Sequence, residues 1–481
     1  MDTNDMRTVW RINLQTVLIT EIKKIIPIQN TPVRLTDKEQ EKDLCYHIAD
    51  IFADVGLIKR YHEVTYVFNG CFYEPLIHTD NLKNFTYAVV YNSGVILSEK
   101  KCRLVIAETI LRTPDYNGIP NDERYTLFQN GYVNNMTGEL TNYVPDYFPT
   151  MCVEANYFFN FPTSLSSPFV LCPYHPIMNM FLDSISGGDP VLIKRFWEMT
   201  GYCISSDGRA KRIFLFIGES GDNGKSTYLN LLSSLISWQG IAGMSITNLA
   251  GGRFALSELS NKRLEISADE GVLNLNTANI AQLKSISGHD LIMADVKHGQ
   301  QIRFVSTCKI LIASNHNIGA AYTAHDPAFA RRICSLPFDV RIPKEQQDPF
   351  LIQKLLAEKD AIVTEAFLHY MELRNRNYIF TGDDIYDNHI NMYPNTPDYM
   401  TITEFTNECC CLSPETFTYT EDLYQAFIIR YGTVFKDITA FSQAFYRVNK
   451  NFLTKSRKHI GNRNAWGFYG VTLKSLKEVD L

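Results

Sequence analysis

The stretch Ile213-Phe214-Leu215-Phe216-Ile217-Gly218-Glu219-Ser220-Gly221-Asp222-Asn223-Gly224-Lys225-Ser226-Thr227 decides how the chain is read. Its five leading apolar residues predict a buried strand. Three glycines and Lys-Ser-Thr follow, and then residues 228–236 carry an apolar helical pattern. Strand, glycine-rich loop and helix N-terminus in that order form a phosphate-binding loop. Glycines let backbone N–H groups turn toward a polyphosphate without Cβ clashes, and the helix end adds partial positive charge. In this reading Gly218, Gly221, Asp222, Asn223, Gly224 and Thr227 wrap the phosphates. Lys225 reaches the β- and γ-phosphates, and the Ser226 hydroxyl ligates Mg²⁺. One spacing departs from G-x-x-x-x-G-K-[ST]. Counting back from Gly224 puts the first glycine at Glu219, and Gly218 lies one residue earlier, so the loop is one residue longer. The alternative is a chance glycine turn between a strand and a helix.

Downstream, residues 262–270 read Lys-Arg-Leu-Glu-Ile-Ser-Ala-Asp269-Glu270, an alternating strand that ends in two carboxylates. Alone the pair would be a solvated acidic turn. After a phosphate loop, Asp269 is placed to hold Mg²⁺ and Glu270 to polarise the attacking water. Residues 284–290 close a helix, and 291–296 and 300–304 predict two strands around the basic turn Lys297-His298-Gly299. Residues 309–314 predict a further buried strand ending at Asn315, where an amide can orient water near a γ-phosphate. Arg331 and Arg332 then precede the apolar run 333–338. An arginine there can stabilise charge on a transferring phosphate, often across a subunit interface.

The flanks carry less chemistry. Residues 17–28 and 39–55 predict helices, and Asn69-Gly70 predicts a hairpin turn within 63–73. Short strands with glycine turns fill 128–140, and 176–202 is helical with a break at Gly187-Gly188-Asp189-Pro190. Residues 350–359 and 361–370 are helical, and a linker with proline and tyrosine follows. Near the end, 420–430 and 440–453 predict two helices. Residues 441–470 hold Arg447, Lys450, Lys455, Arg457, Lys458 and Arg463 with no Asp or Glu, and Trp466, Phe468 and Tyr469 follow closely. Helix, helix and a strand with a basic-aromatic turn suit a winged-helix nucleic-acid binder. A solvated basic face is the plainer alternative.

With 481 residues, two to four domains are expected, and 45% apolar with 20% charged residues suits sizeable cores. A net charge of −6 means that nucleic-acid binding must come from local basic patches. No run of ~18 apolar residues suggests a membrane span, and the N-terminus lacks the basic start and apolar core of a signal peptide. Eleven cysteines without C-x-x-C pairs, Cys409-Cys410-Cys411 included, predict reduced thiols rather than a zinc site.

The order of motifs within residues 213–338 resembles the superfamily 3 helicases of DNA viruses, which are AAA+ ring ATPases. The likeness extends over roughly 110–481 and is greatest to the C-terminal part of the poxvirus helicase-primases, the uncoating nucleoside triphosphatases. The resemblance implies that Lys225 and Ser226 are the phosphate-loop pair, Asp269 and Glu270 the Walker B acids and Asn315 the sensor. It makes Arg332 the arginine finger, with Arg331 as the fallback. It places Lys297 and His298 at the tip of a hairpin that tracks DNA in a central channel. Members of that group carry a primase domain upstream. No D-x-D pair on an apolar strand is present here, so the chain is expected to be a fragment or to lack priming activity.

The expected fold is multi-domain α/β. Residues 1–110 form an N-terminal collar region, and 111–210 a mixed strand and helical domain. Residues 211–345 form the AAA+ P-loop motor, 346–411 a helical extension and linker, and 412–481 a winged-helix-like domain. The expected function is that of an ATP-driven, Mg²⁺-dependent hexameric DNA helicase of viral replication, acting on single-stranded DNA with viral replication proteins in the host cytoplasm. A nucleotide-stabilised ring scaffold and a small-molecule P-loop kinase are the rival expectations, and DNA-stimulated hydrolysis separates the motor from both.

Overall fold

The computed structural model describes residues 3–26, 31–142, 144, 147–158, 175–218, 221–270, 276–297, 299–315, 326–387, 397–432, 434, 435, 437–449, 452–460 and 463–474. The chain forms two compact units, Met1–Asp387 and Asn388–Leu481.

The first unit begins with helices α1 (Thr3–Ile25) and α2 (Lys38–Asp54). Asp37 caps α2, its carboxylate accepting the Glu39 N–H at 2.8 Å. A three-stranded antiparallel meander follows: β1 (Ile58–Tyr61), β2 (Val64–Phe68) and β3 (Tyr73–Pro75). The β2–β3 turn falls where Asn69-Gly70 predicts it, and Asn69 Oδ1 accepts the N–H groups of Cys71 and Phe72, each at 3.0 Å. Helices α3 (Thr79–Asn92) and α4 (Glu99–Arg112) pack with α1 and α2 around Leu18, Ile48, Phe52, Val89 and Ile106. A second meander comprises β4 (Tyr125–Phe128), β5 (Gly131–Asn134) and β6 (Leu140–Thr141).

Helices α5 (Pro176–Ser186) and α6 (Pro190–Ile204) lead into the main sheet. Asp189 caps α6 just ahead of Pro190, so the proline stands where its missing N–H costs nothing. The sheet has five parallel strands in the order β13-β7-β12-β9-β8. These are β7 (Ile213–Ile217), β8 (Ile241–Ala242), β9 (Leu264–Glu270), β12 (Lys309–Ser314) and β13 (Ile333–Pro337). Central β7 and β12 are covered on both faces, which is why they read as continuous apolar runs. Helix α7 (Lys225–Ser234) follows β7, α8 (Ile246–Gly251) and the short α9 (Ala255–Glu258) lie between β8 and β9, and α10 (Thr277–Ser287) follows β9. The antiparallel pair β10 (Leu291–Ala294) and β11 (Ile302–Val305) is inserted before β12.

Helices Leu351–Ala357 and Lys359–Asn375 pack into the same core as α5, α6 and α7. A π-helical turn, Asp383–Asp387, ends the unit. Arg195 of α6 is 0% exposed; it donates to Ser335 O at 2.9 Å, Asp383 at 2.8 Å and Asp387 at 2.6 Å. Arg212 pairs with the same two aspartates. Asp383, Asp387 and Cys334 are the one group of metal-ligand type among the described residues. The two arginines already satisfy its carboxylates, which makes it a structural clasp.

The second unit runs helix Pro397–Cys409, β14 (Cys410–Tyr419), helices Thr420–Tyr431 and Ile438–Asn449, then β15 (Thr454–Ile460) and β16 (Arg463–Leu473). Its antiparallel sheet has the order β14-β16-β15 and packs around Phe405, Phe427, Phe441, Phe445 and Phe468. Among the described residues no helix is long and apolar enough to cross a membrane.

Candidate functional site

The loop after β7 is held at both ends. Gly218 donates its N–H to Ser314 O at 3.3 Å, and a Cβ there would stand 2.3 Å from Asn223 Nδ2 and 2.6 Å from Phe338 O. Asn223, itself buried, donates to Phe338 O at 3.0 Å, and Ile342 N–H donates to Asp222 O at 2.8 Å. The segment after β13 therefore braces the loop. Gly224 adopts φ +87° as the cap of α7, and a Cβ there would lie 2.6 Å from Ile185 Cγ2. Both glycines are required by space, and Gly224 also by its left-handed backbone. Gly221 has nothing within 4 Å of a Cβ. The longer loop thus closes Gly218 onto Asn223. Glu219 and Ser220 lie outside the described residues.

Lys225 Nζ donates to Gly218 O and, at 2.7 Å, to Asn315 Oδ1. Asn315 is reached because β12 pairs in parallel with β7, with Ser314 opposite Ile217. On the other side of β12, Ser314 Oγ donates to Glu270 O at 2.7 Å. Glu270 does not point into the loop. Its Oε1 accepts the Ile246 N–H at 2.7 Å and the Ser267 hydroxyl, so it faces the first turn of α8. Asp269 is on β9, and its side chain lies outside the described ones.

A cavity of about 890 Å³ opens beside the loop. Asp222, Asn223, Gly224, Lys225, Ser226 and Thr227 form one wall. Met180 and Phe181 of α5, with Ile342 and Leu351, add apolar lining, and Phe181 packs against Gly224. The sequence did not single out these wall residues. Their one signal was the helical spacing of 177, 180, 181 and 184, which marks a face but not a ligand. Ser226 is exposed on the first turn of α7, where N–H groups have no partner within the helix. A phosphate-sized anion fits this donor set: N–H groups, one ammonium and one hydroxyl.

Arg332 lies at the other end of the sheet. Ile333 is opposite Ile213 in a parallel pair, so Arg332 flanks the start of β7 and Gly218 its end. Five residues at ~3.3 Å each separate them by roughly 16 Å. Arg332 donates to Ala328 O at 2.8 Å, and its Nε is buried without an acceptor among the described residues. Arg331 is exposed, its carbonyl taken by Arg212 at 2.9 Å.

Lys297 is exposed in the β10–β11 turn, and His298 lies outside the described residues. The base of that hairpin is held by Asp295, which accepts from Arg253 at 3.0 Å and Gln301 at 2.7 Å. Of the basic tail residues, Lys455 and Arg457 are exposed on β15. Lys458 is on the opposite face, 4.8 Å from the Tyr469 ring and 5.1 Å from the Phe417 ring. Lys450 lies outside the described residues, as do the side chains of Arg447 and Arg463.

A family model described as a family of unknown function (DUF5906) matches residues 216–332, from the strand before the loop through Arg332. No curated protein matches the chain. Among solved structures, the A form apo structure of the NrS-1 C-terminal region is 12% identical with a TM-score of 0.40, covering 69% of this chain and 87% of that chain. The apo structure of the NrS-1 C-terminal region (305–718) is also 12% identical, with a TM-score of 0.35, covering 70% of this chain and 91% of that one. The A form of region 305–718 is 12% identical with a TM-score of 0.42, covering 86% and 96%.

Proposed function

We propose that the chain is a Mg²⁺-dependent nucleoside triphosphatase of the AAA+, superfamily 3 type. In this reading it assembles as a hexameric ring and translocates on single-stranded DNA during viral replication in the host cytoplasm. Genome uncoating would be a second use of the same motor, as in the poxvirus helicase-primases it resembles. The observation that carries this reading is the placement of Lys225 and Asn315 at the C-terminal ends of β7 and β12, with Arg332 at the N-terminal end of β13. The strand order supports it. The loop strand β7 lies between the strand ending in Asn315 and the strand that Arg332 precedes. A P-loop with its sensor at one end of the strands and an arginine beyond reach at the other is half of a composite site.

On binding, Lys225 exchanges Gly218 O and Asn315 Oδ1 for the β- and γ-phosphate oxygens, which releases the Asn315 amide to orient water. Ser226 and Asp269 would hold Mg²⁺, which supplies charge neutralisation between the phosphates. Glu270 leaves Ile246 N–H to face the water. The finger comes from the Arg331-Arg332 pair of the neighbouring subunit. Lys297 and His298 grip the phosphate backbone, and the C-terminal unit is a winged-helix-like second contact. Its order of helix, strand, two helices and two strands supports that assignment.

Native mass spectrometry with and without nucleotide, combined with hydrolysis assayed with and without single-stranded DNA, tests the proposal. A six-fold species and DNA-stimulated turnover, both abolished or greatly reduced in Lys225→Ala, are expected. A monomer that phosphorylates a small molecule would refute it.

A further inference from the structure

The basic segment of the second unit is organised as a two-sided ribbon. Along β15 and β16 the register pairs Lys455 with Phe468 and Arg457 with Trp466. Alternation therefore puts Lys455, Arg457, Phe468 and Trp466 on one face and Lys458 on the other. Helix Ile438–Asn449 covers part of this face. Its Tyr446 ring stacks on Phe468 at 6.0 Å and 13°, and Ser442 Oγ accepts from Lys455 Nζ at 2.9 Å. Phe468 is 0% exposed beneath that helix. The cover stops short of Trp466, which stays 55% exposed, and it leaves Tyr446 39% exposed. Lys455 Nζ sits 6.0 Å from the Trp466 ring and 5.8 Å from the Phe468 ring.

We propose that this face is a stacking platform for single-stranded nucleic acid, with Trp466 and Tyr446 taking bases and Lys455 and Arg457 the phosphates. The proposal rests on reading the C-terminal unit as a nucleic-acid binder and names the ligand class. Charge complementarity supports the occupant: residues 441–470 hold six Lys or Arg and no acid. The exposed rings decide between strand states. A duplex hides its base faces and offers phosphates and groove edges, so the lysine and arginine would suffice and the indole would gain nothing. A single strand presents base faces, each able to stack on an aromatic side chain next to a cation.

Fluorescence anisotropy of the full chain with labelled oligothymidine and with a duplex of equal length tests this. It is done in the wild type and again in Lys297→Ala, so that hairpin binding does not mask the tail. Trp466→Ala should weaken single-strand binding about tenfold, and Trp466→Phe should stay close to wild type. Lys455→Gln with Arg457→Gln should lower the slope of log Kd against log salt by about 1.4, at ~0.7 per phosphate. Tighter binding of duplex than of single strand, or wild-type affinity in Trp466→Ala, would overturn the platform while leaving a nucleic-acid-binding unit. No binding of either ligand would remove the reading of the unit itself.

Discussion

The ammonium of Lys225 stands 2.7 Å from Oδ1 of Asn315, across two paired strands. Each is a hydrogen-bond partner of the other. In the proposed function a γ-phosphate would compete for this contact, and variants of the two residues separate their roles. Lys225→Ala should abolish hydrolysis. Asn315→Ala should lower kcat by about 10²-fold, the size of effect seen for one orienting or transition-state donor, with KM little changed. Steady-state kinetics on both variants checks this; a rise in KM alone for Asn315→Ala would make the asparagine a binding group.

The glycines of the loop differ in what they tolerate. Gly224 has φ +87° and Ile185 Cγ2 at 2.6 Å from a would-be Cβ, whereas Gly221 has open space. Gly224→Ala should destabilise the protein by about 1–3 kcal/mol through strain and overpacking. Gly221→Ala should leave the melting temperature unchanged. Equal melting temperatures for the two variants would contradict the loop geometry.

Glu265 and Lys309 together should contribute a minimum in stability near neutral pH. Glu265 on β9 is fully buried, and burial pushes its carboxyl up to about 7. Lys309 on β12 is buried as well, and burial, followed by the nearby Arg263, brings its ammonium down to about 7. Unfolded values are ~4.3 and ~10.4. Between ~4.3 and ~7 the folded state keeps a proton on Glu265 that the unfolded chain has lost, so stability falls as pH rises. Between ~7 and ~10.4 the unfolded lysine holds a proton that the folded one lacks, so stability rises. Urea midpoints at three pH values across this range check the curve. Glu265→Gln should flatten its acidic side, and an unchanged slope would acquit Glu265.

Much of this was legible because β7, β12 and β13 are buried on both faces. Residues 213–217, 264–270, 309–314 and 333–337 stand out as apolar or alternating runs, and Asp269-Glu270, Asn315 and Arg332 drew attention because each flanks or ends such a run. Strand order was not legible, since it is set by pairing between residues far apart in the chain, such as Ile213 with Ile310 and with Ile333. The turn His62-Glu63 also escaped notice. Both residues take positive φ, 48° and 65°, with no glycine to announce it, whereas Asn69-Gly70 named its own turn. Arg195 and Asp387 meet across 192 positions, beyond any local pattern. Lys455, Arg457 and Lys458 read as one charge cluster in sequence. The two-residue period of β15 divides them between faces, a parity that becomes readable only once the strand and its register are known.

The composite site is tested most directly by mixing two inactive proteins. Arg332→Ala keeps an intact phosphate loop, and Lys225→Ala keeps an intact arginine. In a mixed ring, the loop of the first faces the arginine of the second. Each variant alone should hydrolyse little ATP, and the mixture should recover a substantial fraction of wild-type turnover, while adding the Lys225→Ala/Arg332→Ala double variant to either should not. Arg331→Ala in place of Arg332→Ala identifies which arginine of the pair serves. A mixed assembly that stays inactive for both arginines, or full activity in Arg331→Ala and Arg332→Ala alike, would contradict a site shared between subunits.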